Sequence, residues 1–377
     1  TIAVYDLDIQ QRENDLVAAT FGRGFYVLDN YTPLRTIGED IVSKRAHLFP
    51  VKDALLYIPA TPLGGGGTGS QGHNIWTAKN PSYGATFSLY LKGVEPMLKA
   101  ERQKQEKKIE KEGEAVYYPS FEEIRAEDME EKAVLIWQVF DASGNEIRRM
   151  SSSPKKGIQR QVWNLRSNTT DPIGSKGNGF LVTPGAYSVS VVMVKDGKSD
   201  LLIDKQSFIV KGLNNQTLLA KNPDELKSFR ADLAELNRKV SGTEKVMNET
   251  KDRIELIEKA LLNYPNTDLA LLESIRAMKV SYKDLEVSMW GDDARSSRDF
   301  ETVPSISGRL GMVGYQLYQN TAGVSKTHRK NKEIGEQQYK ALKVDLNKII
   351  EDLNLVEDKL EGIIPYTKNK GENWKKD

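Results

Sequence analysis

Imidazole chemistry in this 377-residue chain rests on three histidines, His47, His73 and His328. None has a second histidine or a carboxylate at metal-binding spacing, so no zinc or metal-hydrolase motif is legible. Cysteine is absent, which removes disulfides, thiolate metal sites and a cysteine nucleophile. No Gly-x-Ser-x-Gly elbow occurs, and the run Gly64 to Gly67 lacks the Gly-Lys-Ser/Thr ending of a phosphate loop. Asp6, Asp8, Glu13 and Asp15 are placed to be considered as an acid and base pair for glycoside hydrolysis. Spacing alone cannot pair carboxylates that meet from different strands, however. Asp15 and Asp29 bracket the hairpin, where carboxylates bond turn amides, and Glu13 and Asn14 sit in the preceding turn. Asp141, in the run Asp141-Ala142-Ser143-Gly144-Asn145, has the residue types of a calcium loop but reads first as a turn. No cofactor and no metal are expected on these patterns.

Aromatic side chains are the other candidate binders, because their faces stack on sugar rings. Trp76 follows the glycine run and the polar stretch Gln71-Gly72-His73-Asn74, so Trp76, His73 and Tyr83 are the candidate ligand contacts. Trp137 and Trp163 lie inside alternating strand patterns, one face of which must be buried, and read as core.

These residues must be held by several cores, since the length suits two or three domains of roughly 100 to 200 residues. Lys and Arg number 54 against 53 Asp and Glu, a net charge of +1, and such a balance gives no field to attract nucleic acid. No apolar run approaches the roughly 20 residues of a membrane helix. Residues 13–29 hold two apolar runs, Leu16 to Thr20 and Phe25 to Leu28, around Phe21-Gly22-Arg23-Gly24, the pattern of a hairpin. A hairpin alone is marginal in water, so this one is expected to need sheet partners, and Thr1 to Tyr5 read as the middle of a strand with no signal segment. The chain is accordingly expected to begin inside a longer protein.

Period-two segments follow at 85–91, 133–140, 160–165, 185–195 and 201–210, with Asp196-Gly197 suited to a tight hairpin; together they predict a β-sandwich. A Lys- and Glu-rich insertion at about 97–132 begins as a helix, breaks at Gly113 and Pro119, and reads as a solvated arm. After Val210 the period changes to alternating steps of three and four. Leu226, Phe229, Leu233, Leu236, Val240, Met247, Ile254, Ile257 and Leu261 make one stripe, interrupted by Thr243 and Thr250. Further stripes run from Leu271 to Met289, Ile306 to Leu317 and Tyr339 to Leu360. Asn222 with Pro223, Asp224 and Glu225 starts the first helix, and an antiparallel bundle is expected.

Residues 13–35, ENDLVAATFGRGFYVLDNYTPLR, resemble the closing strands of bacterial BNR/Asp-box repeat β-propellers, a group classed with glycosyl hydrolases and related in fold to sortilin-like and sialidase-like propellers. The resemblance continues through AHLFPVKDA (46–54), NPSYGATFSLYLK (80–92), YYPSFEEIRAED (117–128), GIQRQVWNLR (157–166), TPGAYSV (183–189), VKGLNNQTLL (210–219) and KTHRKNKEIGEQQY (326–339). It implies the C-terminal portion of a Bacteroidota-type secreted or cell-surface protein. The domains would be propeller strands at 1–45, an Ig/fibronectin-like β-sandwich at 46–212 and an α-helical bundle at 213–377. The Asp-box turn itself has no match, so no catalytic residue is carried over.

The expected role is a non-catalytic accessory or interaction region. Its partners would be the upstream propeller of the same protein and another surface or secreted protein met through the bundle. The alternative is part of a glycoside hydrolase acting on polysaccharide or glycoprotein glycans, its active site upstream and residues 60–80 near the propeller mouth. The location implied by the resemblance is extracytoplasmic.

Overall fold

Strands and helices follow the two hydrophobic periods of the chain. The computed structural model describes residues 2–59, 80–170, 177–213, 218, 220–319, 321–360 and 363. In chain order the first elements are β1 (Val4–Gln10), β2 (Asp15–Thr20), β3 (Phe25–Leu28), the one-turn helices α1 (Thr32–Thr36) and α2 (Glu39–Ser43), β4 (Ala46–Leu48), β5 (Ala54–Leu56) and β6 (Ala85–Leu91). Helices α3 (Leu98–Lys111) and α4 (Phe121–Met129) precede β7 (Val134–Asp141), β8 (Glu146–Ser152), β9 (Gly157–Trp163), β10 (Arg166–Asn168), β11 (Asn178–Leu181), β12 (Gly185–Lys195) and β13 (Lys198–Gly212). Helices α5 (Pro223–Asn263), α6 (Leu271–Trp290), α7 (Asp293–Ser296), α8 (Ile306–Gln319) and α9 (Lys326–Leu360) complete the described chain, which is mixed β and α with a partly curled sheet. Two compact units result, residues 1–168 with 182–215 and residues 169–181 with 216–377.

In the first unit β1, β2 and β3 form one antiparallel meander. A five-stranded sheet in the order β5-β13-β12-β7-β8 and a three-stranded sheet in the order β4-β6-β9 supply the core. Alternation sends Phe87 and Leu89 of β6 and Leu135, Trp137 and Val139 of β7 into full burial. Phe87 stacks on Trp137 with ring centroids 6.0 Å apart and meets Phe208 of β13 edge-on at 5.4 Å. Trp163 of β9 packs on Tyr187 of β12 at 5.5 Å, so the buried faces of the two sheets share one aromatic core. Both indole N–H groups are satisfied inside it: Trp137 Nε1 donates to Ser152 Oγ at 2.9 Å and Trp163 Nε1 to the Arg166 carbonyl at 2.8 Å. The expectation that these tryptophans are core residues holds.

Asp196 and Gly197 adopt left-handed φ values of 48° and 70° between the paired Lys195 and Lys198, the turn that matches strand twist. Gly84, with φ 126°, lets the start of β6 approach β9 so closely that a Cβ there would lie 1.9 Å from the Trp163 carbonyl oxygen.

The charged insertion is a pair of short helices with no buried residue on either. The break foreseen at Gly113 and Pro119 is followed by a new start: Ser120 and Glu123 close a reciprocal capping box on α4. Arg102 joins the helices, its Nε and Nη2 donating to Glu127 at 2.5 and 2.9 Å. Glu130 accepts from the Leu98 amide at 2.7 Å and binds Lys195 at 3.0 Å, tying the base of the arm to β12.

In the second unit the stripes become the core. Every residue of the α5 stripe from Leu226 to Leu261 is buried except the partly buried Phe229, and those of α6, α8 and α9 are buried too. Asn222 Oδ1 accepts from the Glu225 amide at 3.1 Å with Pro223 in the first turn, the start expected from sequence. Thr250 stays in the apolar seam by donating to the Val246 carbonyl at 2.7 Å, and Thr243 lies 3.0 Å from the Tyr339 hydroxyl.

Candidate functional site

The β1–β2–β3 meander carries an extensive apolar surface that its own unit leaves uncovered. Its register sorts the side chains by face. Leu7 pairs with Ala18 and Ala18 with Tyr26, while Ile9 pairs with Leu16 and Leu16 with Leu28, which makes one face continuously apolar. On the opposite face Asp6 and Asp8 of β1 stand beside Ala19 and Val17, which pair in turn with Phe25 and Val27. Tyr5 is 72% exposed, Leu7 58%, Phe25 72% and Val27 55%. Both faces of this sheet therefore present large apolar groups to solvent, which a sheet buried on one side does not do. A backbone edge adds to this: among the described residues β1 pairs with β2 on one side only.

The hairpin is fixed by its carboxylates. Asp15 Oδ1 accepts from the Asn30 amide at 2.8 Å, closing the base of β2 and β3, and Tyr31 N–H donates to the Asn14 carbonyl at 2.8 Å. Glu13 accepts from Lys52 and, at 3.0 Å, from Arg12; the Lys52 bond in particular holds its carboxyl below the usual carboxylate range. Asp6 and Asp8 accept from the next residue's amide, Leu7 at 2.9 Å and Ile9 at 2.8 Å. Arg160 of β9 donates to the Asp29 and Asn30 carbonyls at 2.7 and 2.8 Å, anchoring the end of the meander within its unit. The four carboxylates first considered as acid and base are thus engaged in turns, neighbouring amides and an ion pair.

Of the candidate ligand contacts, Trp76 and His73 lie outside the described residues. Tyr83 is half-buried, edge-on to Tyr57 with centroids 4.9 Å apart, and burial pushes its phenol above the ordinary range. His47 packs edge-on against Phe49 at 5.1 Å, and burial lowers its imidazole. Asp141 Oδ1 accepts from the Ser143 and Asn145 amides, both at 3.0 Å, which makes it a turn cap. Among the described residues no group of three His, Asp or Glu could hold a metal ion. No described helix is long and apolar enough to cross a membrane.

Sequence reasoning named the hairpin but missed the second apolar face. That signal was present in residues 16–19 and 25–28, which are apolar at successive and not alternate positions, so that Val17, Phe25 and Val27 face away from Leu16, Tyr26 and Leu28. A surface tip on the insertion was also missed: Tyr117 and Tyr118 stand exposed between α3 and α4, and Phe121 is exposed at the start of α4. Compared with family models, curated proteins and solved structures, the chain matches none.

Proposed function

We propose that this chain is a non-catalytic interaction and support region of a larger extracytoplasmic protein, its first strands belonging to a BNR-type, sortilin-like β-propeller. On this reading the meander is blade material, the two packed sheets are an Ig/fibronectin-like sandwich bearing a charged arm, and the helical unit is an antiparallel bundle that docks a partner.

The observation that carries the proposal is the two-sided apolar meander. A propeller blade is covered by neighbouring blades on both faces, so it needs apolar residues on both. Burying each aliphatic or aromatic side chain contributes roughly 1.5 to 3 kcal/mol, which for this many residues far exceeds the marginal stability of so small a sheet. The resemblance of residues 13–35 supports the same assignment. Engagement of Asp6, Asp8, Glu13 and Asp15 in structural bonds favours support over catalysis.

The test is the protein as isolated from its native source. Intact mass is expected to show a chain extending beyond Thr1, and residues 4–28 are expected to exchange amide protons at least about tenfold more slowly there than in the 377-residue chain. Equal exchange in the two would remove the propeller assignment.

A further inference from the structure

We propose that the corner joining α8 to α9 is an acid-sensitive latch worked by His328, closed when the imidazole is neutral and opened when it gains a proton. The proposal rests on which ring nitrogen meets which partner. Ser325 caps α9: its Oγ accepts from the His328 amide at 3.1 Å, and its carbonyl accepts from the Arg329 amide at 3.2 Å. His328 answers with its ring, Nδ1 accepting from the Ser325 amide at 3.2 Å. This is a reciprocal capping box in which an imidazole nitrogen stands where a glutamate or glutamine side chain ordinarily accepts. Because Nδ1 faces an N–H donor it must be bare, so the ring proton sits on Nε2. That nitrogen lies 2.7 Å from Gln316 Oε1 of α8 and donates to it. One neutral tautomer therefore closes the helix start and ties it to the last turn of α8.

A second ring proton has nowhere to go. On Nδ1 it would point at the Ser325 N–H, setting donor against donor, and would place positive charge in the first turn of a helix, where the backbone dipole opposes it. The neighbouring charges add to this. On α9 the adjacent Arg329 raises the local positive potential, and Lys332 lies over the Phe229 ring of α5. From α5, Glu225 is bound to Arg329 at 2.6 Å, and the buried Arg230 donates to the Leu317 carbonyl of α8 at 2.8 Å. Glu225 is thus already engaged by a guanidinium. His328 itself is buried, which also favours its neutral form.

Acidification is expected to release the Ser325 cap and the Gln316 bond together, loosening residues 321–330 while the stripes of α5, α6 and α9 hold the rest. Three measurements on the full chain test this. Carbon and nitrogen shifts of the imidazoles at about pH 7.5 should show His328 with its proton on Nε2. Amide exchange of residues 321–330, corrected for intrinsic rates, should rise about tenfold between about pH 7.5 and pH 5. The variant His328→Gln keeps an acceptor that does not titrate in this range, and should lose that acid step. A proton on Nδ1, a corner whose exchange is indifferent to pH, or an unchanged step in His328→Gln would each overturn the latch. If the variant does not fold, the tautomer and exchange of the natural chain still decide.

Discussion

Glu357 is buried to 2% exposure in the core of the helical unit and takes a two-pronged bond from Arg253, with Nε to Oε1 at 2.9 Å and Nη2 to Oε2 at 2.6 Å. Asn354 Oδ1 accepts from the same guanidinium at 2.8 Å. A carboxylate taken out of water is tolerated only with such partners, so removing the cation should be costly. Arg253→Met is expected to destabilise the helical unit by about 3 kcal/mol in urea unfolding, and Glu357→Gln by less, since Gln keeps an acceptor. A change under about 0.5 kcal/mol for Arg253→Met would mean that the pair is not the support it looks to be. At this scale the sequence was legible where a residue acts on its own neighbours, as with the Asn222 cap and the Asp196-Gly197 turn. It was silent on Arg253 and Glu357, which are more than a hundred positions apart; nothing local distinguishes them from the solvated Arg238 and Glu235.

Elements were legible in proportion to their apolar period. The stripes of α5, α6, α8 and α9 bury the positions their spacing selects, Phe229 only partly, and β6 and β12 occupy the ranges their alternation predicts. Strand β8 escaped notice because it is an edge strand carrying Glu146, Arg148 and Arg149, whose composition resembles a loop; β4 and β5 are only three residues each. The arm was readable as polar and helical because it buries nothing, and that property has a consequence. Replacing Leu98–Met129 with a short Gly-Ser link should change thermal stability by no more than about 1 kcal/mol, because the partly buried Arg102 pairs with Glu106 and Glu127 lie wholly within the arm and leave together with it. Collapse of the first unit on that deletion would show that the arm supports β6 and β7. Survival would leave it, with exposed Tyr117 and Tyr118, as a projection free to serve recognition.

Acid and alkali act on the whole molecule through groups spread over both units. In the first, Arg149 holds the Glu146 carboxyl below its ordinary range and Lys52 does the same for Glu13; in the second, a bond from Arg238 holds Glu235 at about 2. Groups depressed in this way contribute stability that is present above about pH 4.5, their ordinary value, and is lost as pH falls through the folded-state value. His47 and His328, both lowered by burial, follow the same sign at higher pH: their contribution is present above about pH 6.5 and fades as pH falls through their lowered values. Tyr282 runs the other way. Burial raises its phenol to about 12 while its hydroxyl donates to the Met247 carbonyl at 2.9 Å, so its contribution is present below about pH 10 and lost as pH rises towards 12. Thermal unfolding measured across pH should therefore show a plateau from about pH 7 to 10, a shallow decline below it that His47→Gln and His328→Gln together remove, and a steeper one below about pH 4.5. A single symmetric maximum near the isoelectric point of about 7.6 would instead mean that net charge, and not these particular bonds, governs the stability of the chain.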